Sequence, residues 1–412
     1  MYGGRQGRSA PPAPAERASP GEARGAAAGG PGAGAGGGGG GPAFGGGFGS
    51  DAAGAPVTPA KAGGGGYSWD QRRAGAGGAA GGAGRGAKDP ADFIYRGLRD
   101  QTVVRPAGTV AGEQLVIEDC HDCTLVILDR SACVTVDDCT GCTLFLGPVE
   151  GSVFVRDCVE LRGSFVCRQF RCRELHASDL RLFCATRPII ESSRGLRLAC
   201  LSLDYAGLAE QLQAAGLSPL RNFWSAVYDF TPPPSGQGPG PRGHWDFLPA
   251  GPGEPGGPPA GPGAPGGGAD PNSPAGWGLP AGAAPAPARP SFVPTRGDRP
   301  GPAGEEGRRL VLLDAARAGG ALELAAALAR SCTLVHANLA PVPAGLLGRL
   351  AAGAGASAKA LAKGPVASLE LAPAPGQGAA ALDAALRRGA FGLPVASDPG
   401  LADELRLAGI EG

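Results

Sequence analysis

Several features that mark large classes of protein are missing from this chain of 412 residues. Its 37 basic and 37 acidic residues cancel, and no basic run stands out, so its charge gives no indication of nucleic-acid binding. There is no run of 18 apolar residues of the kind that spans a membrane. The N-terminus also lacks the apolar core of a secretory signal. These absences point away from nucleic-acid-binding, membrane-spanning and secreted proteins.

Gly, Pro and Ala dominate two long segments, the first 50 residues and residues 235–288. Such segments bury too little apolar surface to offset the entropy of ordering, so they are expected to be disordered. We therefore predict four parts: a tail at 1–66, an ordered block at 67–232, a linker at 233–307 and a second ordered block at 308–412.

Eleven cysteines are present, and ten of them lie between Cys120 and Cys200. A secreted disulfide scaffold would need a signal peptide, which is lacking. Reduced and mostly buried thiols in a cytoplasmic protein fit better.

A repeat of 19 residues runs through the first ordered block. Asp-Cys pairs recur at 119–120, 138–139 and 157–158, and alternating apolar residues precede each pair. A period near 20 with short alternating strands is typical of a solenoid in which each coil covers its neighbour. The predicted fold class is mainly β, a right-handed parallel β-helix whose cysteines stack into an interior ladder. A capping helix is predicted within 205–220, and Trp224, Tyr228 and Phe230 are expected to pack back onto the coils.

A zinc site is the competing explanation of the same cysteines. The spacing of Cys120, Cys123, Cys139 and Cys142 is that of a four-cysteine zinc site. The second pair, however, is the first displaced by one coil, and the Asp-Cys pattern continues into a third coil without a partner cysteine. We therefore favour the ladder and predict no metal.

The same block resembles the tubulin-cofactor-C family. The resemblance rests on many ordered motifs: Thr109-Val-Ala-Gly112, Val134-Thr-Val-Asp-Asp-Cys139, Phe145-Leu-Gly-Pro148, Gly151-Ser-Val-Phe154, Gln169-Phe-Arg171, Ala185-Thr-x-Pro-Ile-Ile-Glu191-Ser-Ser193, Ala215-Gly-Leu-Ser218, Asp229-Phe-Thr-Pro232, and the flanking Tyr67-Ser-Trp-Asp-Gln-Arg72 and His244-Trp-Asp-Phe-Leu-Pro249.

The resemblance implies a GTPase-activating protein for an Arf-like small GTPase. Arg171 matches the arginine finger of the family, a guanidinium supplied in trans to the γ-phosphoryl group. Gln169 lies on the same face of the strand, and Glu191, about one coil later, is expected to hold the Arg171 guanidinium. Phe230 and Asp229 are expected to contact the partner. The chain needs no cofactor of its own, since the partner brings GTP and Mg²⁺.

Two departures from the family pattern stand out. Arg168 replaces a second Gln before the Gln-x-Arg motif; we place it among the partner-binding residues, where it could weaken catalysis or change which GTPase is accepted. The family also includes a protein with Gly and Cys directly after Met, for acylation, whereas Met1 here is followed by Tyr2. Membrane attachment is therefore left open.

The second block alternates strands and helices: strands at 310–314, 333–337 and 365–371 and helices at 321–330, 343–351 and 379–388. This alternation predicts a smaller α/β domain of ferredoxin-like type. The run 363–370, Lys-Gly-Pro-Val-Ala-Ser-Leu-Glu, resembles nucleoside diphosphate kinases. Residues 395–398 lie where that family has its nucleophilic His and hold none, while His336 falls inside a predicted strand. We therefore predict an inactive domain.

Two alternatives to GTPase activation remain at this point. The chain could be a scaffold that binds the GTPase without stimulating it, or a tubulin-folding cofactor with tubulin as its partner. The resemblance further implies a cytoplasmic location near the ciliary base or basal body, with a role in trafficking of lipidated cargo.

Overall fold

The computed structural model describes residues 89–231, 243–250, 287, 289–300, 307–388, 393–396 and 399–411. All of them belong to one compact unit, Ala80–Gly412. The predicted tail at 1–66, the Tyr67 to Arg72 motif and most of the predicted linker lie outside the described residues. No helix in the described ranges is long and apolar enough to cross a membrane.

The first block is a parallel β-helix built from two stacks of strands. The strands are β1 Ile94–Arg96, β2 Thr102–Arg105, β3 Leu115–Glu118, β4 Thr124–Ile127, β5 Val134–Asp137, β6 Thr143–Val159, β7 Arg162–His176, β8 Asp179–Cys184, β9 Ile189–Glu191, β10 Leu196–Cys200, β11 Tyr228–Asp229 and β12 Trp245–Phe247. The first stack contains, in parallel, β1, β3, β5, the later part of β6, the later part of β7, β9 and β11. The second contains β2, β4, the start of β6, the start of β7, β8, β10 and β12.

The predicted repeat is confirmed by the strand register. Leu115 pairs with Val134, and Val134 pairs with Val153, so the apolar positions read from the sequence stack directly above one another. All three are fully buried. Because side chains alternate along a strand, this register fixes which residues face the interior and which face outward.

Each coil turns one corner through two residues with left-handed backbone conformation. Their φ values lie between 48° and 69°, a region that favours Gly and tolerates Asp because its short side chain can bond the local backbone. The Asp of the Asp-Cys repeat therefore makes the turn, and the residue after it points inward. The first position is occupied by Gly97, Asp119, Asp138, Asp157, Glu174 and Ser192, and the second by Asp100, Asp122, Gly141, Glu160, Ala177 and Gly195.

The cysteines between the two stacks lie inside the helix. Four of these cysteines were considered as zinc ligands: Cys120, Cys123, Cys139 and Cys142. The Sγ of each donates to the carbonyl oxygen of the residue two positions earlier, at 3.1–3.4 Å. Each sulfur is thus engaged by the main chain beside it, whereas a zinc site directs four thiolates at one metal ion. Among the described residues, no group of three or more His, Cys, Asp or Glu has metal-binding geometry.

Helix α1, Leu208–Ala214, packs on the outside of the coils and is shorter than the predicted segment. It buries Leu208 and Leu212 against a second apolar cluster that includes Phe145. The end of the β-helix is closed by Trp224, whose Nε1 donates to Thr295 Oγ1 at 3.1 Å. Residues 243–250 and 289–300, both inside the predicted linker, thus contact the coils directly.

The second block is the smaller α/β region predicted from the sequence. Its elements are β13 Arg309–Leu313, α2 Ala321–Leu328, β14 Cys332–Ala340, α3 Ala344–Ala354, α4 Ala358–Leu361, β15 Val366–Pro373, α5 Ala379–Arg388, β16 Val395–Ala396 and α6 Pro399–Glu411. The four strands form an antiparallel sheet in the order β14-β15-β13-β16, which is the ferredoxin-like order. Residues 397 and 398 of the kinase-like motif lie outside the described ranges.

One carboxylate joins the two blocks. Asp298 accepts from Ser225 Oγ at 2.9 Å and from Arg406 of α6 at 2.6 Å, and His336 Nε2 of β14 lies 3.3 Å away. Burial alone would raise the pKa of the Asp298 carboxyl, but the hydrogen bond and charge of His336 and the charge of Arg406 outweigh it and hold that pKa well below its ordinary value. His336 is thus part of a junction between the blocks.

The corner turns predict that substitutions at equivalent positions of two adjacent coils change the stability of the fold in opposite directions. Ala177 (φ 48°) and Gly195 (φ 66°) occupy the same place in adjacent coils, and a Cβ added at Gly195 would meet other atoms no closer than 3.5 Å. Ala177→Gly should raise the free energy of unfolding by about 0.5–1 kcal/mol and Gly195→Ala should lower it by a similar amount, because only the backbone strain changes. Urea midpoints measure both, and equal signs would contradict the assignment of the turns.

The Asp298 junction predicts a pH-dependent contribution to stability. A carboxylate whose pKa is depressed by folding stabilises the fold above its unfolded pKa of about 3.9, and this is lost as the pH falls through the folded value. Asp298→Asn should cost about 1–2 kcal/mol at pH 7, since the side chain is 35% exposed and partly screened, with the deficit shrinking below about pH 4. Asp403→Asn, on helix α6 beside Arg406 and 59% exposed, is the control and should change little. A deficit independent of pH would refute the prediction.

Candidate functional site

The outward face of the first stack carries a column of side chains that includes Arg171. The register places Phe154 of β6 beside Arg171 of β7, Arg171 beside Ile189 of β9, and Ile189 beside Tyr228 of β11. We call this set, Phe154, Arg171, Ile189 and Tyr228, the arginine column. The neighbours of Arg171 along it are thus an aromatic and an aliphatic residue.

Arg171 points outward because Phe170 and Cys172 on either side of it point inward and are buried. The side chain is half-buried between its neighbours, and its Nε is shielded from solvent with no hydrogen-bond partner among the described residues. A buried donor without an acceptor costs about 1–3 kcal/mol, so each such group calls for an explanation, of which a functional role is one. Arg171 therefore has hydrogen-bonding capacity that the described chain does not use.

Gln169 lies on the same outward face, two residues before Arg171, as predicted from the alternation of the strand. Its Oε1 accepts from Ser152 Oγ at 2.9 Å, across the neighbouring strand. This bond orients the amide beside the arginine column. Ser152 was not singled out from the sequence, because its role depends on the pairing of β6 with β7.

Glu191 is exposed and pairs in register with Arg173, while Ile189 occupies the place beside Arg171. The expected position used a coil of about twenty residues, whereas the register shows that this coil is eighteen residues long. Glu191 is therefore a diagonal neighbour of Arg171. No ion pair joins the two within the described part of the chain.

An exposed aromatic pair ends the face. Phe230 is 60% exposed and Tyr228 is 44% exposed, and their rings meet edge to face with centroids 4.7 Å apart. The expectation that both rings pack back onto the coils is wrong; only Trp224 does so. Phe230 is nevertheless held by its backbone, since its N–H donates to the carbonyl of Ile190 at 2.9 Å. The pair is therefore a fixed apolar projection.

Comparison with known proteins shows what this part of the chain is similar to. The family model "Tubulin binding cofactor C" matches residues 112–230, which include the arginine column. For this similarity we call residues 112–230 the cofactor-C domain.

Curated relatives agree with this assignment. The chain is 50% identical to Protein XRP2 of Mus musculus over 166 residues, 40% of this chain and 44% of the relative, and 50% identical to Protein XRP2 of Gallus gallus over 184 residues, 44% and 46%. Tubulin-folding cofactor C of Arabidopsis thaliana is 41% identical over 81 residues, 20% of this chain and 22% of the relative. The matches span less than half the length of these relatives. The chain is thus XRP2-like and cofactor-C-like in its β-helix.

A solved structure is also similar. Tubulin Binding Cofactor C from Leishmania major is 22% identical and covers 36% of this chain and 87% of that chain, with a TM-score of 0.25. The β-helix assignment itself rests on the parallel strand pairing described above.

Arg168 of the cofactor-C domain, which the sequence placed among the partner-binding residues, is exposed and bonded to main-chain carbonyls of this chain. Its Nε donates to the carbonyl of Glu150 at 2.7 Å, and its other nitrogen to the carbonyls of Ala215 and Gly216 at 3.1 and 3.4 Å. The carbonyls at a helix C-terminus lack intrahelical partners and attract positive charge. Arg168 thus fastens the end of α1 to the coils.

Asp229 is likewise bonded within the chain, to two residues that follow the cofactor-C domain. One carboxylate oxygen accepts from the N–H of Thr231 at 2.8 Å, and the other lies 2.7 Å from Nδ1 of the buried His244. These bonds tie β11 to the segment that carries β12. Asp229 therefore positions Phe230, and Phe230 is the member of the motif that is exposed for contact.

Sequence reasoning missed Arg187, Ile189 and Tyr228. Ile189 was quoted as part of a motif, but only the register shows that it flanks Arg171. Arg187 occupies the open position of that motif, and Tyr228 directly precedes the Asp-Phe-Thr-Pro run. The signal that could have found them is this position, inside one motif for Arg187 and directly before another for Tyr228.

The docking of Arg168 predicts a structural effect. Arg168→Gln should lower the free energy of unfolding by about 1 kcal/mol, since a charged donor to the C-terminal carbonyls of α1 is lost. Arg162→Gln, on an exposed outward position of the same strand, is the matched control and should change it by less than about 0.5 kcal/mol. Hydrogen exchange at the α1 amides would locate the effect; equal behaviour of the two variants would argue against the docking role.

Proposed function

We propose that the chain is a GTPase-activating protein for an Arf-like small GTPase and that Arg171 is its arginine finger. The observation that carries this proposal is the half-buried guanidinium whose Nε has no acceptor among the described residues, on an outward face of a cofactor-C domain. The XRP2-like sequence supports it. An arginine held ready without an internal partner is what a finger acting in trans requires.

A guanidinium suits phosphoryl transfer better than a lysine ammonium does. In phosphoryl transfer the charge spreads over the oxygens of the γ-phosphoryl group, and an arginine supplied in trans stabilises it by about 10³–10⁵ in rate. The planar fork donates two directed bonds, which a lysine ammonium cannot do. Phe154 and Ile189 flank the Arg171 stem, so little side-chain freedom is left to lose on docking.

The remaining residues of the face have supporting roles in this proposal. The Gln169 amide, oriented by Ser152, contacts the partner beside the finger. Glu191, a diagonal neighbour of Arg171, steers the guanidinium once the partner has excluded water. GTP and Mg²⁺ come with the partner. In the cell, the activity would return the GTPase to its GDP form in trafficking of lipidated cargo near the ciliary base.

Tubulin is the second candidate partner. The observation that favours it is the match to a plant protein named Tubulin-folding cofactor C. This match covers 81 residues and is shorter than the XRP2 matches.

The scaffold alternative rests on Arg168, whose side chain donates to carbonyls of Glu150 and of Ala215 at the end of α1. Arg168 is exposed as well, so the scaffold remains the alternative that binding measurements test.

Single-turnover GTP hydrolysis by a ciliary Arf-like GTPase tests the proposal. At saturating concentration of the wild-type chain the rate should rise by about 10³-fold or more, and Arg171→Ala and Arg171→Lys should each remove most of the rise. Arg173→Ala, an exposed arginine on the same strand and face, is the matched control and should leave the saturating rate unchanged.

Binding measured in the same series separates the alternatives. Tight binding of the GTP form without stimulation, in wild type and variants alike, would establish a scaffold and reject the finger. Binding to tubulin with no binding to the GTPase would favour the folding-cofactor role.

A further inference from the structure

Arg187 holds the segment that leads into the exposed aromatic pair. Its Nε donates to the carbonyl of Ala226 at 3.1 Å and a second nitrogen to that of Val227 at 3.5 Å. The same guanidinium stacks on the ring of Tyr228, 5.1 Å from its centroid. All three contacts fall on consecutive residues, 226–228, so one side chain fixes both the backbone and the ring.

This segment needs such support because β11 is short and lies at the edge of its stack. β11 has two residues and pairs only with β9 among the described strands. The bonds at its two ends are the Tyr228 N–H donating to the carbonyl of Pro188 and the Phe230 N–H donating to the carbonyl of Ile190. Edge strands this short open easily. Asp229 and His244 anchor the far side of β11, and Arg187 holds the approach through 226–227 together with the Ala226 N–H, which donates to the carbonyl of Phe223 at 2.9 Å.

The aromatic pair stands next to the proposed finger. Tyr228 is two strand steps from Arg171 along the arginine column, which is about 10 Å between backbones at the usual spacing of paired strands. Exposed aromatic residues close to the reacting group are the kind that anchor a partner. Over β7, β9 and β11 the outward charged residues are Arg171, Arg173 and Glu191, and Arg187 adds a further positive charge from the loop before β9.

We propose that Arg187 is a positioning residue that fixes Tyr228 and Phe230 as the docking element beside Arg171. The partner surface that fits this element is an apolar patch bordered by carboxylates, presented by the GTP-loaded GTPase. The docking step rests on the proposed function, whereas the positioning step does not. Arg187 would set how tightly the partner binds, and Arg171 how fast the bound partner reacts.

Arg187→Lys is the decisive variant, because it keeps the charge but loses the planar fork that reaches two carbonyls and covers a ring. Arg162→Lys, an exposed arginine on β7, is the matched control. Hydrogen exchange of the Tyr228 and Phe230 amides tests positioning without any partner. We expect exchange about tenfold faster in Arg187→Lys than in wild type or the control, with unchanged urea midpoints.

GTPase titration tests the docking role. The concentration of Arg187→Lys needed for half-maximal stimulation should rise about tenfold, while the saturating rate stays within about twofold of wild type. Tyr228→Ala should show the same split, and the double variant should add little, because both changes act through one contact.

The outcomes are distinguishable. Unchanged amide exchange in Arg187→Lys overturns the positioning role whatever the GTPase does. Faster exchange with an unchanged half-saturating concentration overturns the docking role, and a loss of saturating rate assigns Arg187 to the chemistry and also overturns it. If the wild-type chain neither binds nor stimulates the GTPase, the proposed function and the docking role fail together, and faster exchange would still support positioning.

Discussion

The register between successive coils is the constraint on which the rest of the cofactor-C domain depends. Two left-handed residues at one corner of each coil set where the following strand begins, as in Asp138 and Gly141. A slip of one residue would turn every inward side chain outward. Arg171 faces outward only because Phe170 and Cys172 face the core, so the position of the proposed finger follows from the packing of the interior.

The arginine column shows how such packing can prepare a charged group for use. Ion pairs between outward residues of neighbouring coils occur elsewhere on the helix, as between Arg156 and Asp137 at 2.7 Å. Arg171 instead has Phe154 and Ile189 beside it, and its Nε is withdrawn from water. A guanidinium in this setting interacts more strongly with an anion brought to it, since less water screens the pair.

The parts of the fold that depend on local pattern could be predicted from the sequence. The 19-residue repeat gave the β-helix, and the alternation of strands and helices gave the second block. Contacts between distant residues could not be found in this way: Arg168 and the carbonyl of Ala215 are 47 residues apart, and α1 must be in place before they meet. Glu191 was misplaced by two residues, because later coils are shorter than the repeat from which the spacing was taken.

Composition misleads where a few residues are ordered by their neighbours. Residues 289–300 lie in a Pro- and Gly-rich region, yet Thr295 bonds Trp224 and Asp298 bonds Ser225. The open end of a β-helix offers unpaired apolar surface that such a segment can cover. Contact with the end of the β-helix orders this segment. Local sequence propensity cannot predict such a contact, because it depends on residues distant in the sequence.

The interior ladder of thiols has a consequence for the ageing of the protein. While the coils are stacked, the sulfur atoms of residues such as Cys139 and Cys158 are sealed from solvent and cannot meet an oxidant. Any event that parts two coils admits oxidant to several sulfur atoms at once, and a sulfinic or sulfonic acid formed there would be too large and too polar to be packed again. Such acids at interior cysteines would therefore be an irreversible chemical trace of coils that once came apart.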